Sequence, residues 1–383
     1  MIFDRFPLAD AEGVLLAHSL RTLTQHFKKG CRLEAADLVA LAAAGVTSVS
    51  GARLEADEID EVGAAAEIAG MLAGARLAER STATGRCNLH ASARGLLLVE
   101  PALVDRLNSV DEGITVATLP QHAPVHCGQV VATVKIIPFG VPRASIEACR
   151  QIVAEAAVLE VAPFRRCRAA LVMSVHPGMS ESLLRATVTA TRHRLDVVGA
   201  RLALVLRCAH ERESIETRLR QVRAAGCDLV LVSGATVAKD RRDIAPAAVA
   251  AAGGVIEHFG MPTEPGNMLA LGRIDAVPVI LLPGCGRSRR TNGLDWVLQR
   301  LLAGLPVGRE QIVRMGVGGL IRHPVSAVAT TQDEADADGA DEVRDDDQGA
   351  ESEAAAPQGT RVAALVLAAG RSSRMGVENK LLM

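Results

Sequence analysis

The most constraining feature of this 383-residue sequence is an alternation of apolar and amphipathic segments between about residues 168 and 303. Apolar runs of strand length alternate with longer segments whose apolar residues recur at helical spacing. Such alternation is typical of an α/β domain, in which helices cover both faces of a mostly parallel sheet. We therefore predict a three-layer, mostly parallel α/β domain over residues 165–325. Its predicted strands are residues 169–175, 201–207, 228–232 and 277–282, and its predicted helices are residues 181–193, 213–225, 241–252 and 292–303.

The first 160 residues lack this alternation, and we predict a separate α+β domain over residues 1–160. Prolines at 138, 142 and 163 interrupt the sequence near the boundary between the two predicted domains. Residues 146–160 are predicted to form one helix that connects these domains. The other predicted helices are residues 15–26, 34–44 and 57–77, and the predicted strands are residues 96–99, 113–118 and 129–137.

An acidic segment follows the α/β region. Residues 331–357 hold eleven Asp or Glu and one arginine, a local charge of -10 against -2 for the whole chain, which leaves +8 for the remainder. Like charges with few bulky apolar residues cannot offset the entropy of ordering the chain, so we predict a disordered linker at residues 331–360. A mildly basic remainder suits an anionic small ligand.

The composition argues against several classes of protein. No apolar run reaches the roughly 18 to 20 residues that span a bilayer, and residues 1–5 do not resemble a signal peptide, so we predict a cytoplasmic protein with no membrane partner. Tyrosine is absent and aromatic residues make up 2%, which argues against stacking of nucleic-acid bases. The eight cysteines form no C-x-x-C pair, which predicts reduced thiols and no metal site.

Three loops carry the residues with chemical potential. In open α/β sheets, ligands bind beyond the carboxyl ends of the strands. After the third predicted strand, the small residues and hydroxyls of Ser233, Gly234 and Thr236 allow backbone and side-chain donors to approach an anion. Asp240 and Asp243 follow at the entrance of the next helix. There, helix capping by one of them is as plausible as a functional role.

The other two loops add a tight turn and a cluster of arginines. One contains Pro265, Gly266 and Asn267, which alone would form an ordinary turn. The other begins at the end of the last predicted strand. Arginine side chains and free N–H groups are suited to phosphate recognition. The candidate binding residues in this third loop are Pro283, Gly284, Cys285, Arg287 and Ser288.

Together, the three loops resemble the molybdopterin-binding domain of the families that adenylylate molybdopterin or insert molybdate during molybdenum cofactor biosynthesis. The resemblance covers roughly residues 168–319. It implies that the three loops bind molybdopterin and that Asp240 is catalytic, holding a metal ion or positioning the phosphate, with Asp243 as a second candidate. The motifs that carry the resemblance are, in order, Ser233-Gly234, Asp240, Pro265-Gly266 and Leu282-Pro283-Gly284.

Two residues depart from that family's pattern. Ala235 occupies the place of the usual second glycine, and Lys239 occupies the place of a glycine before the acidic residue. Without these two glycines, the loop can position the side chain of Asp240 differently from that family.

A second motif lies near the end of the sequence, after a predicted short strand at residues 362–367. Glycines and small residues there allow close approach to phosphates, and Arg374 and Lys380 can neutralise departing pyrophosphate. The run resembles the signature of nucleotidyltransferases that attach CMP or GMP to molybdenum cofactor. We expect residues 361–383 to be the truncated start of such a domain, unable to fold or transfer anything as written. The nucleotide-binding residues that this resemblance implies are Ala368, Ala369, Gly370, Arg371, Ser372, Arg374, Met375, Gly376 and Lys380.

Both resemblances point to molybdenum cofactor biosynthesis. They imply that the chain binds molybdopterin or molybdenum cofactor for nucleotidyl transfer in the intact protein, which would use Mg²⁺ with CTP or another NTP. Two alternatives stay open: a non-catalytic molybdopterin carrier or regulator, and an enzyme of the same fold that acts on pyridine nucleotides. Related domains often self-associate, so a homo-oligomer is also expected, whereas no nucleic-acid partner is.

Overall fold

A computed structural model of the chain describes residues 1–23, 25–82 and 84–321. The described residues form a mixed α/β structure with several sheets. The predicted acidic linker and the predicted start of a nucleotidyltransferase domain lie outside these residues. None of the helices in the described ranges is both long and apolar enough to cross a membrane.

The N-terminal part contains short strands and one helix. Antiparallel pairing joins the first, fifth and second strands into a three-stranded sheet around its own small apolar core. The elements are β1 Ile2–Pro7, β2 Leu15–Leu16, β3 Leu20–Arg21, β4 His26–Phe27, α1 Ala35–Ala43, β5 Ser48–Arg53 and β6 Glu58–Asp60.

The predicted helix over residues 15–26 is wrong, because this segment forms the short strands β2, β3 and β4. Its leucines do not share a buried face: Leu15 and Leu16 are buried, whereas Leu23 is fully exposed. The hydroxyl of Ser19 also competes with helix formation, because its Oγ accepts a hydrogen bond from the backbone N–H of Lys29 at 3.0 Å.

The middle part packs helices against antiparallel sheets. One sheet has the order β10-β12-β8-β7 and another the order β11-β9-β14, and a single apolar core joins them to α2, α3 and α4. The predicted helices 57–77 and 146–160 are both too long, since strands occupy their ends. The elements are α2 Glu61–Leu72, β7 Leu77–Thr82, β8 Arg86–Ala91, β9 Gly95–Val99, α3 Pro101–Asn108, β10 Ile114–Thr118, β11 Pro124–Val125, β12 Val130–Ile136, β13 Gly140–Pro142, α4 Arg143–Val153 and β14 Leu159–Pro163.

The last part is built on a six-stranded sheet of order β16-β15-β17-β20-β19-β18. Strands β16, β15, β17 and β20 pair in parallel, and β19 and β18 continue the sheet in antiparallel pairing. The elements are β15 Arg168–Val175, α5 Glu181–Val197, β16 Arg201–Ala209, α6 Arg212–Ala224, β17 Leu229–Ser233, α7 Ile244–Ala251, β18 Gly254–Phe259, β19 Ala270–Ile274, β20 Val277–Leu281, α8 Gly293–Leu302 and α9 Arg309–Val313.

Alternate residues of the central strand β15 enter two separate apolar cores. Leu171 and Met173 pack with residues of α5 and α8, whereas Ala170 and Val172 pack with residues of α6 and α7. This alternation follows from the two-residue period of a strand, and it explains why β15 reads as a continuous apolar run. The sheet therefore holds the ends of its parallel strands in fixed positions.

Candidate functional site

Two of the three loops that were singled out lie side by side at the carboxyl edge of the parallel strands. They follow β17 and β20, which are parallel neighbours. The guanidinium of Arg287 joins them, because its Nη2 donates to the carbonyl oxygen of Gly234 at 2.9 Å. Arg287 is half-buried, and burial lowers its pKa from the ordinary value. The first and third loops are thus one surface with a positive charge between them.

The second loop reaches the same surface through the start of α8. The N–H of Gly293 donates to the carbonyl oxygen of Pro265 at 3.0 Å. Gly266 has a φ of 132° there. A Cβ at Gly266 would lie 2.6 Å from the nitrogen of Gly293, so only glycine permits this approach. Asn267 lies at the exposed side of the turn, where its Nδ2 donates to Glu264 Oε2 at 2.7 Å.

A buried arginine holds the third loop in place. Arg194 is 4% exposed, and its Nε donates to Asp295 Oδ1 at 2.9 Å. Its Nη1 and Nη2 donate to the carbonyl oxygens of Gly286 and Arg290 at 2.8 and 3.0 Å. Burial raises the pKa of Asp295, and Arg194 partly offsets that rise. The backbone of the third loop is therefore fixed by a charged group that lies beneath it.

A buried histidine holds the first loop. His210 Nδ1 lies 2.8 Å from Ser174 Oγ, and its Nε2 lies 3.0 Å from Thr236 Oγ1. Ser174 Oγ also accepts from the N–H of Ala235 at 3.2 Å. Burial lowers the pKa of His210, and the ring of His176, 4.8 Å away between centroids, lowers it further. The imidazole of His210 thus ties the ends of β15 and β16 to the loop after β17.

The first loop offers backbone donors to a ligand. Among the described residues, the N–H groups of Thr236, Val237 and Ala238 have no hydrogen-bond acceptor. Free backbone N–H groups can donate hydrogen bonds to an anion. With Arg287 beside them, they are suited to a phosphate group.

The two aspartates of this loop have different surroundings. Asp243 is the N-cap of α7: its Oδ1 accepts from the N–H of Ile244 at 2.8 Å, and its Oδ2 accepts from the N–H of Lys239 at 3.2 Å. Asp240 is exposed, and its Oδ1 accepts from the N–H and Nε of Arg242 at 2.8 and 3.0 Å. These bonds lower the pKa of Asp240. Asp240 Oδ2 makes no such bond within the described part of the chain.

The remaining predicted residues shape the third loop. Ser233 and Pro283 are buried at the strand ends, and Gly284 is exposed. The carbonyl oxygen of Cys285 accepts from the N–H of Ser288 at 3.1 Å, and burial raises the pKa of the Cys285 thiol. Ser288 Oγ accepts from the N–H of Arg290 at 3.2 Å. Cys285 and Ser288 therefore both belong to the surface that the three loops form.

The described residues do not form a protein-only metal cage. No group of three or more His, Cys, Asp or Glu side chains is placed to hold a metal ion within the described ranges. Mg²⁺ takes oxygen ligands in octahedral geometry, and both carboxylate oxygens of Asp243 already accept backbone N–H groups, one from Ile244 in α7 and one from Lys239 in the loop. Within the described part of the chain, Asp240 Oδ2 and Glu264 Oε1 are the carboxylate oxygens of these loops that accept no hydrogen bond, and these two are too few to hold Mg²⁺ on their own.

Sequence reasoning found the loops but missed the side chains that fasten them. Ser174, His210 and Arg194 had no role in the sequence analysis. One signal was present: His210 lies three residues after the predicted strand 201–207, at the edge where ligands bind. The predicted nucleotide-binding residues from Ala368 to Lys380 lie outside the described residues.

No protein-family model matches the sequence, and no curated protein matches it. Several solved structures are similar to it. The molybdopterin biosynthesis MoeA protein from Pyrococcus horikosii has 11% identity and a TM-score of 0.28, over 79% of this chain and 75% of that one. A molybdenum cofactor biosynthesis protein from Pyrococcus furiosus has 12% identity and a TM-score of 0.22, over 80% of this chain and 66% of that one.

A third similar structure, a protein from Corynebacterium diphtheriae assigned to molybdenum cofactor biosynthesis, has 12% identity and a TM-score of 0.25, over 37% of this chain and 100% of that one. At TM-scores between 0.22 and 0.28, these likenesses carry no argument about chemistry. The function of the site rests on the residues of this chain.

Proposed function

We propose that this chain binds molybdopterin at the surface formed by the three loops and acts in molybdenum cofactor biosynthesis. The observation that carries the proposal is the convergence of three loops that resemble one family's motifs. Arg287 joins the first loop to the third, and Pro265 joins the second to the start of α8.

The chemistry of the surface suits the terminal phosphate of molybdopterin. The free N–H groups of Thr236, Val237 and Ala238 can donate to phosphate oxygens, and the guanidinium of Arg287 supplies positive charge at partial burial. Because backbone donors are fixed by the strand ends and by His210, little ordering is needed on binding.

A pterin fluorescence titration of the full chain tests this proposal. We expect saturable binding of molybdopterin, weakened about tenfold by Arg287→Gln, because a charge-assisted contact and the link between two loops are both lost. Arg220→Gln is the control, since Arg220 is exposed on α6, outside the three loops. The proposal fails if no saturable change occurs below the millimolar range, or if both variants weaken binding equally.

The finer proposal is nucleotidyl transfer, in a protein that carries a complete transferase domain. A phosphate oxygen of molybdopterin would attack the α-phosphorus of CTP, or of another NTP, forming a new P–O–P bond. The bond between the α-phosphorus and the oxygen that bridges it to the β-phosphorus would break, and pyrophosphate would leave. The residues described here would bind and orient the accepting phosphate, with Asp240 beside it. Support for this step is the resemblance of residues 367–380 alone.

A second candidate is a non-catalytic carrier of molybdopterin. The exposure of Asp240 and the capping role of Asp243 favour it, because neither carboxylate is held toward a reacting atom. Asp240→Asn separates the two candidates in a protein with transferase activity. A catalytic Asp240 requires a fall in the rate of pyrophosphate release while pterin binding persists, whereas a carrier leaves both unchanged.

A further inference from the structure

A cavity of about 870 Å³ lies away from the three loops, between the ends of β9 and β14 on one side and α8 and α9 on the other. Small-molecule sites have volumes of roughly 300 to 1,000 Å³. No residue of the three loops lines this cavity. Its walls include the apolar side chains of Val158, Pro306 and Met315. The volume of this cavity lies within that range.

The cavity contains a half-buried positive charge. Arg300 lines it, and Arg300 Nη1 donates to the carbonyl oxygen of Trp296, one turn earlier in α8, at 3.1 Å. Among residues that the structure describes, no carboxylate oxygen lies within 4.0 Å of this guanidinium. Burial lowers the pKa of Arg300. Since half-buried charges are usually paired, this guanidinium is available for an anion.

A neutral histidine faces the same space. His122 lines the cavity with a left-handed backbone, at a φ of 62°. Burial, and secondarily the charge of Arg300, lower the pKa of His122 to about 4. Its ring is therefore uncharged near neutral pH and can both donate and accept a hydrogen bond.

The remaining charges limit how much negative charge a ligand can carry. Arg314 lines the cavity, but its Nη2 already lies 2.7 Å from Glu310 Oε1. Glu100 and Glu160 also line it and would repel a polyanion. The guanidinium of Arg300 therefore suits a ligand with one anionic group rather than several.

We propose that this cavity binds a small planar anion, an aromatic ring that carries one carboxylate or one phosphate. The anionic group is bound by Arg300, with His122 as a hydrogen-bond partner. The ring packs against Trp296, the only tryptophan in the chain, and the apolar wall. This inference does not depend on the proposed binding of molybdopterin.

Trp296 also provides the measurement. The chain has one tryptophan and no tyrosine, so its intrinsic emission reports on this cavity. The probes are adenosine monophosphate with adenosine as its neutral match, and benzoate with benzamide as its neutral match. We expect a saturable change with at least one anion and binding at least about tenfold weaker for its neutral match. Which anion binds distinguishes a phosphate ligand from a carboxylate ligand. No saturable change below about 10 mM with either anion, or equal binding of a neutral match, overturns the proposal.

Variants assign the binding to Arg300. We expect Arg300→Gln to weaken anion binding about tenfold or more, and Arg300→Lys to retain part of it, because the charge persists without the planar fork. Arg185→Gln, on the exposed face of α5, is the control and should bind as the unaltered chain does. If thermal melting shows that Arg300→Gln does not fold, the comparison of Arg300→Lys with Arg185→Gln tests the assignment instead. Unchanged binding in Arg300→Lys, or equal losses in both, contradicts the assignment.

Discussion

Asp240 and Asp243 lie three residues apart in one loop, and their hydrogen bonds separate their roles. Asp243 accepts two backbone N–H groups and begins α7, whereas Asp240 accepts from its neighbour Arg242 and is open to solvent. Helix capping accounts fully for the first carboxylate. It does not account for the second, whose Oδ2 has no partner in the described part of the chain.

This difference predicts different effects on stability. Asp243→Ala should lower the free energy of unfolding by about 1 kcal/mol, because the N-cap of α7 loses its side-chain acceptor. Asp240→Ala should change it by less than about 0.5 kcal/mol, as expected for an exposed position. Urea denaturation of both variants measures the two values, and equal losses would contradict these roles.

The histidine in the cavity predicts a pH dependence of stability. The pKa of His122 falls from 6.5 to about 4 on folding, so below pH 6.5 the unfolded chain binds a proton that the native state does not. Stability should therefore decrease as the pH falls from about 7 toward 4. The variant His122→Asn is chosen because asparagine tolerates the left-handed backbone at this position. It should reduce the loss of stability at low pH by on the order of 1 kcal/mol, after allowance for solvent screening.

Thermal melts between pH 7 and pH 5 measure the effect of this substitution. The exposed His18, changed to Asn, is the control and should leave the pH dependence as it is in the unaltered chain. The same dependence in His122→Asn as in the unaltered chain would show that His122 is not its source.

At the scale of elements, α5 and α8 are joined beneath the third loop by the Arg194 and Asp295 ion pair. Both side chains are largely buried, at 4% and 15% exposure. Arg194→Met should lower the free energy of unfolding by about 3 to 5 kcal/mol, because it leaves a buried carboxylate and two carbonyl oxygens without their partner.

Arg220→Met on α6 is the matched control, since Arg220 is 65% exposed and pairs with Glu216 within one helix. It should cost less than about 1 kcal/mol. Chemical denaturation compares the two variants. A cost for Arg194→Met as small as that for Arg220→Met would mean that the buried pair does not hold the loop.

The sequence predicted the elements whose apolar pattern matches their burial. Strand β15 was predicted at residues 169–175, and α5, β16 and α6 were also found, because each buries a face with the period of its structure. Strands β18 and β19 were missed, because no strand was predicted between residues 252 and 277, and β18 has no continuous buried run. Residues 15–26 were predicted to form a helix, but the segment has no buried helical face, since Leu15 and Leu16 are buried and Leu23 is exposed.

The loops of the candidate site could be predicted from the sequence, whereas the side-chain hydrogen bonds and ion pairs that hold them could not. Glycines, hydroxyls and prolines mark a loop locally, and the carboxyl edge of a parallel sheet brings such loops together. The bond between Ser174 and His210 spans 36 residues, and that between Arg194 and Asp295 spans 101. No local pattern in a single sequence encodes pairs at such separations.

At the scale of the whole molecule, all eight cysteines lie in the described ranges and all are free thiols. Burial raises the pKa of Cys149 to about 11 and that of Cys167 to about 12, so neither should react in the native state. Titration in denaturant without reductant should find eight thiols. In the native protein the exposed Cys127 should react first, and Cys127→Ser should remove that fast phase. A melting temperature that drops on adding reductant would contradict free thiols.

Strand β16 closes one side of the six-stranded sheet, so its outer backbone groups face no further strand of that sheet. Its centre, Leu202-Ala203-Leu204-Val205-Leu206, is uncharged and strongly apolar, a composition that templates aggregation when it lies on an open edge. Arg201 and Arg207 flank this run and are both exposed. They act as gatekeepers, since pairing two such strands from separate molecules would bring arginines of like charge together. We therefore expect these two arginines to disfavour edge-to-edge association of the sheet.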